Sequence, residues 1–138
     1  MAAETTLVLI KPDAMHRKLA GEIIARLERR GFELKAARLL TIDRALAERH
    51  YAEHEGKPFY EDLVAFIGSG PTIALAVQGE SAISTVRAMM GATNPLDSAP
   101  GTIRGDLALE LSENIVHGSD SPESAARELG LFFPDASF

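Results

Sequence analysis

The strongest constraint on this chain's fold is the way short apolar runs alternate with segments of helical period. Thr5-Thr6-Leu7-Val8-Leu9-Ile10 is an apolar run with β-branched residues, the mark of a buried strand, and Lys11-Pro12-Asp13 stops it. Ala20, Ile23, Ile24 and Leu27 then share one helix face, with Glu22, Arg26, Glu28, Arg29 and Arg30 facing water and Gly31 as C-cap. From Phe32 to Ile42 the period returns to two, since Phe32, Leu34, Ala36, Leu40 and Ile42 are apolar and only Arg38 breaks the pattern. That predicts a half-buried strand with one inward face. Asp43 caps a helix to about Glu53, and Pro58 opens another that carries Leu63, Val64, Phe66 and Ile67, giving a helical hairpin.

After the turn Gly68-Ser69-Gly70-Pro71, Thr72–Val77 reads as a third strand. Ser81 caps a helix that buries Ile83, Val86, Met89 and Met90 and stops at Gly91. Residues 91–105 make a long connection rich in proline and glycine, which points to a functional loop or a subunit interface. Residues 106–113 admit two readings: Leu107, Leu109 and Leu111 alternate as in a strand, while Leu107-Ala108-Leu109-Glu110-Leu111 has helix-forming composition. Ile115-Val116-His117 is a last short strand ending at Gly118, and Ser121-Pro122-Glu123 opens a final helix closed by Gly130. The order is βαββαβ. It predicts an α/β fold, a ferredoxin-like antiparallel sandwich with an inserted helical hairpin and a long loop before the last strand. With 138 residues, 46% of them hydrophobic, residues 1–138 are read as a single domain.

Charge and composition remove several functions. Against 14 Lys+Arg stand 20 Asp+Glu, a net charge of -6, so nucleic-acid binding along a backbone is not expected. The absence of cysteine excludes disulfides and thiolate metal sites and fits a reducing compartment. No stretch approaches the roughly 20 apolar residues of a membrane span, and Met1–Thr6 lacks a signal-peptide pattern. A cytoplasmic protein with no membrane partner is the expectation. Neither a Gly-x-x-x-x-Gly-Lys-Ser/Thr run nor a Gly-x-Ser-x-Gly run occurs.

Among the 4 histidines, His117 has the most informative setting, because it ends an apolar strand just before a helix N-terminus whose N–H groups favour anions. It is either an exposed imidazole close to a bound phosphate, or a strand-end ring that only packs. His16, His50 and His54 are read as ordinary residues; His50 and His54 are spaced i,i+4 but lack a matched third ligand, so they are taken as solvated helix positions. Lys11, Arg87 and Arg104 are far apart in sequence and read as solubility charges or a structural Arg104–Asp106 contact, although Lys11 and Arg104 stand at a strand end and in the long loop, where side chains tend to serve function. Phe59, near the start of the Pro58 helix, fills core or stacks a planar ring.

At Asn114-Ile115-Val116-His117-Gly118-Ser119-Asp120-Ser121 the chain resembles the active-site segment of nucleoside diphosphate kinases. Further segments match the same family in order: Leu9-Ile10-Lys11-Pro12-Asp13, His50-Tyr51, Lys57-Pro58-Phe59, Ser69-Gly70-Pro71, Asn94-Pro95 and Pro100-Gly101-Thr102-Ile103-Arg104-Gly105-Asp106. The resemblance is to the short bacterial form. It departs at Ser112-Glu113, where Gly-Arg is commoner, and at Pro122.

The resemblance implies that His117 accepts the γ-phosphoryl group of a nucleoside triphosphate and passes it to a nucleoside diphosphate. Such a ping-pong reaction has broad base specificity. Carried over by position, Lys11, Tyr51, Arg87, Thr93, Arg104 and Asn114 contact phosphate or ribose, and Phe59 stacks the base with Leu63 alongside. Ser119 and Glu128 support the histidine, Glu128 by accepting a hydrogen bond from the ring nitrogen that does not attack. Mg²⁺ is implied as a partner bound mainly through the nucleotide phosphates, with no metal ligand assigned to the chain. A homo-oligomer is also implied, a hexamer with a tetramer as the alternative. The competing readings are a non-catalytic nucleotide-sensing ferredoxin-like module, which would not need His117 with Glu128, and an RNA-binding sheet, which would want aromatics on its central strands.

Overall fold

The computed structural model describes residues 3–138. Its strands are β1 (Ala3–Ile10), β2 (Glu33–Leu40), β3 (Thr72–Glu80) and β4 (Val116–Gly118). The α-helices are α1 (Pro12–His16), α2 (Ala20–Arg30), α3 (Arg44–His50), α4 (Tyr60–Ile67), α5 (Ala82–Met90), α6 (Ile103–Leu107) and α7 (Pro122–Phe132). The strands form one antiparallel sheet in the order β2-β3-β1-β4, the ferredoxin-like arrangement.

Helices cover both faces of this sheet, which is why the buried half of β1, Leu7–Ile10, is apolar without a break. Val8 and Ile10 pack with Ile23 and Leu27 of α2 and Val86 and Met90 of α5. Leu7 and Leu9 point the other way, onto Ala47 of α3, Val64 and Ile67 of α4, and Leu129 and Phe132 of α7. Gly31 closes α2 in the left-handed region at φ 106°.

The edge strand β2 departs from a simple period of two. Phe32 and Leu34 pack on the α2–α5 side, Ala36 and Leu40 on the opposite side. The pairing with β3 shifts between Leu34 and Ala36, and one extra residue there turns the strand over. A single inward face is therefore corrected to two half-faces.

Helix boundaries moved where packing outweighed local signals. Pro58 lies in the turn before α4, and a 3-10 turn at Ala52–His54 separates the hairpin helices. Ser81 makes no side-chain cap; Glu4 Oε1 instead accepts from Ile83 N. The segment before β4 is not an open loop: it holds 3-10 turns at Pro95–Asp97 and Leu111–Glu113 flanking α6, so residues 106–113 are neither one strand nor one helix. Gly130 sits inside α7, which runs on to bury Phe132 completely. No helix among the described residues is long and apolar enough to cross a membrane.

Candidate active site

The site forms where β1 and β4 run side by side. Leu9 pairs with His117, and the chain leaves β1 through Lys11 two residues on. Gly118 packs against α5, where a Cβ would meet the flexible end of Met90 and displace it. Ser119 is tied back to β1: its N donates to Leu7 O, and its Oγ accepts from Leu7 N.

His117 is partly open, with 27% of its side chain exposed, while its partner Glu128 is buried. His117 Nε2 lies 2.9 Å from Glu128 Oε1, and Ser119 Oγ donates to the same oxygen at 2.7 Å. α7 delivers Glu128; Ser121 caps that helix by accepting from Ser124 N, and Pro122 occupies its first turn. These features use up or remove first-turn donors, so the helix start offers an anion less than its position beside His117 implies. Burial by itself raises the Glu128 carboxyl, but the hydrogen bond and charge of His117, the Ser119 hydroxyl and His50 outweigh it and bring it down to about 2. A carboxylate that stays ionised accepts a proton-bearing Nε2, which leaves Nδ1 as the ring's lone-pair nitrogen.

His50 corrects the sequence reading. It is buried, not solvated, and its ring meets the His117 ring edge-on at 4.7 Å and 84°. Burial, then the neighbouring His117, lower its pKa to about 3, so it is neutral at pH 7. The available signal was its place with Leu46 and Ala47 on the inward face of α3. His54, by contrast, is half-buried on the 3-10 turn, and His16 is exposed at the end of α1. Tyr51 stands 4.7 Å from His50; burial, then Glu128, push its hydroxyl up to about 12.

Lys11 and Asn114 form a second group. Lys11 Nζ donates to Asn114 Oδ1 at 2.7 Å, and Asn114 Nδ2 donates to Thr93 O at 2.9 Å. Burial lowers the Lys11 ammonium to about 8 despite the nearby Asp13 carboxylate, with Arg104 also lowering it. Arg87 Nη1 reaches Gly118 O at 3.0 Å, beside His117. Arg104 is buried, and its guanidinium donates to the carbonyls of Asn114, Gly91, Ala92 and Val116. With five N–H donors in all, it retains little for a ligand beyond its charge. Asp106 pairs with Arg26 instead of Arg104.

Phe59 and Leu63 lie apart from both groups, on the α3–α4 hairpin. Phe59 is 45% exposed and Leu63 half-buried, one helical turn on. Rings connect them to the histidine: His117 to His50, His50 to Tyr51, Tyr51 to His54 at 6.3 Å, His54 to Phe59 at 5.5 Å. Two further contributors were given no role at this site by the sequence, although Asp13 lies in a matching segment. Asp13 accepts from Ile115 N at 3.0 Å, and Arg127 Nη2 stands 3.7 Å from Glu128 Oε2.

The chain is similar to known proteins over almost its whole length. The family described as nucleoside diphosphate kinase matches residues 4–138. A nucleoside diphosphate kinase of Parafrankia sp. (strain EAN1pec) is 53% identical over 99% of this chain and 100% of its own length. That of Thermomicrobium roseum is 57% identical over 94% and 87% respectively. Among solved structures, a halophilic nucleoside diphosphate kinase from Halobacterium salinarum in complex with CDP superposes with a TM-score of 0.95 at 45% identity, covering 99% of this chain and 93% of that one.

Proposed function

The chain belongs to the nucleoside diphosphate kinase family, and from that premise we propose that His117 Nδ1 carries the phosphoryl group. Its activity is phosphate transfer between nucleotides, and a non-catalytic sensing role is not favoured. The observation that carries the assignment is the 2.9 Å contact between His117 Nε2 and a buried carboxylate that is itself fixed by Ser119.

In the proposed reaction the Nδ1 lone pair attacks the γ-phosphorus of a nucleoside triphosphate held as its magnesium complex. The P–N bond forms as the bond to the bridging oxygen breaks, and the diphosphate leaves with that electron pair. Positive charge develops on the ring, where Glu128 stabilises it without taking the proton. The neutral His50 ring adds no opposing charge. A β-phosphate oxygen of the second nucleotide then attacks the same phosphorus, and the steps run in reverse.

Lys11, Arg87 and Arg104 supply positive potential for the phosphates, aided by Thr93, Asn114 and the Tyr51 hydroxyl. Phe59 stacks the base beside Leu63. The one cluster of potential metal ligands among the described residues, His50, His117 and Glu128, has nitrogen-rich donors unsuited to Mg²⁺. Magnesium therefore belongs to the substrate in this reading. The chain acts as one domain, in the cytoplasm, within a homo-oligomer that is a hexamer or a tetramer. The apolar side chains of Leu96, Leu109 and Leu111, 73%, 74% and 56% exposed around α6, support assembly.

Incubation with γ-labelled ATP and Mg²⁺ should yield an acid-labile phosphate on His117 that a nucleoside diphosphate removes. Label on another residue would refute the assignment. Sedimentation across the micromolar range should show no monomer.

A further inference from the structure

Ile115 is a β-branched residue at φ 63°, in the left-handed region that such side chains avoid. Val116 N donates to Asn114 O across it at 2.8 Å, an i→i+2 bond. Asn114-Ile115-Val116 is thus a γ-turn of the rare, strained hand, immediately before His117. Strain of this kind persists only where the surroundings over-determine it.

The surroundings here are explicit. Lys11 N donates to Ile115 O at 3.0 Å, continuing the ladder from β1. Arg104 takes the carbonyls on either side, Asn114 O at 3.1 Å and Val116 O at 2.7 Å. The remaining backbone group, Ile115 N, is held by one buried carboxylate oxygen, Asp13 Oδ2, at 3.0 Å. A partnerless buried amide would be costly, so this bond decides whether the turn is kept.

We propose that Asp13 is a positioning residue for phosphoryl transfer: by gripping Ile115 it holds the γ-turn that aims Asn114 at Lys11 and sets His117 against Glu128. Asp13 touches no substrate in this role. The inference rests on the reading of His117 as phosphoryl carrier.

A carboxylate does more here than an amide would. Asp13 Oδ1 is buried with no hydrogen-bond partner, so its charge acts through space. The ammonium of Lys11 faces Asp13 from α1, Arg104 from α6, the Asn114 amide, the Phe66 ring of α4 at 5.6 Å, and neutral His50 of α3. Asp13 is the anion that opposes burial and Arg104 there. Removing its charge lowers the pH at which Lys11 loses its proton.

The full chain carrying Asp13→Ala or Asp13→Asn provides the test, with the rate of His117 labelling by γ-labelled ATP and the pH profile of KM as readouts. Wild-type labelling at His117 checks the underlying reading independently. Asp13→Ala should slow labelling about a hundredfold, the scale of a misplaced reacting group. Asp13→Asn keeps an acceptor for Ile115 N, so its loss should be much smaller, while its KM rises at a lower pH than the wild-type limb near 8. Labelling by Asp13→Ala at the wild-type rate overturns the proposal, as does an Asp13→Asn variant equally slow. Should Asp13→Ala fail to fold, Asp13→Ser decides, since its shorter side chain falls short of Ile115 N: labelling slower than in Asp13→Asn supports the proposal, and labelling at the wild-type rate overturns it.

Discussion

The corner around His117 and the hairpin tip around Phe59 are built on opposite plans. At the corner Glu128, Ser119, Lys11, Asn114 and Arg104 are buried, and each is bonded to another part of the chain. At the tip Phe59 is 45% exposed, and its ring neighbours are His54 and Lys57. The contrast suits the two ends of a nucleotide. Phosphoryl transfer gains from donors fixed before the substrate arrives, whereas a stacking ring accepts any base because every base has a π-face.

The largest expected effect tests the corner alone. His117→Ala should abolish labelling and lower turnover by about three orders of magnitude or more, with little change in thermal stability. Substantial acid-labile label in that variant would place the chemistry elsewhere.

Glu128→Gln should slow transfer by about tenfold to a hundredfold and leave nucleotide affinity near its original value, as expected for lost control of ring orientation. It should also change acid stability. The folded carboxyl titrates near 2 against an ordinary 4.5, so its stabilisation is present above 4.5 and disappears as pH falls toward 2. Acid unfolding curves of the wild type and the variant should therefore converge at low pH.

Phe59→Ala carries the comparison to the other region. Loss of stacking worth about 1–3 kcal/mol per base should raise KM roughly tenfold for every nucleotide together, while kcat holds. A fall in kcat comparable with that of Glu128→Gln would mean the tip also sets geometry at His117.

The Lys11 limb is a subtler effect. Its ammonium, lowered to about 8, loses charge as pH rises through that value in the free enzyme. kcat/KM should then decline above pH 8 while kcat declines later, since bound phosphate favours the charged form. Lys11→Arg should extend the plateau upward even where it lowers the rate. The smallest difference expected is among bases, about tenfold or less in kcat/KM between purine and pyrimidine diphosphates. A ratio of thousands would reveal a group at the tip that reads base edges.

Legibility in the sequence followed the same division. β1, α2 and α5 were readable because their apolar periods match the faces they bury, and Gly31 and Gly91 marked helix ends at positive φ. His117, Glu128, Ser119 and Lys11 are legible through motif resemblance, and the structure bonds His117 and Ser119 to one oxygen of Glu128 and Lys11 to Asn114. His50 has a local signal, its place with Leu46 and Ala47 on one face of α3, but its i,i+4 spacing with His54 points to the helix surface, and the chain beyond α3 decides how deeply that face is covered. The β2 bulge left no local trace, since register is a property of two strands.

Alternating periods, caps and turn residues by themselves determined which segments become strands and helices, and hence the βαββαβ order, because these are interactions within a few residues. Tertiary structure alone decided how Arg104 spends its donors, that His50 is buried and neutral, and that Ile115 accepts a conformation its own side chain opposes. Each of those outcomes depends on partners distant in the chain, such as Asp13 for Ile115. Local preference is overruled there because a buried, unpaired polar group costs more than a strained turn.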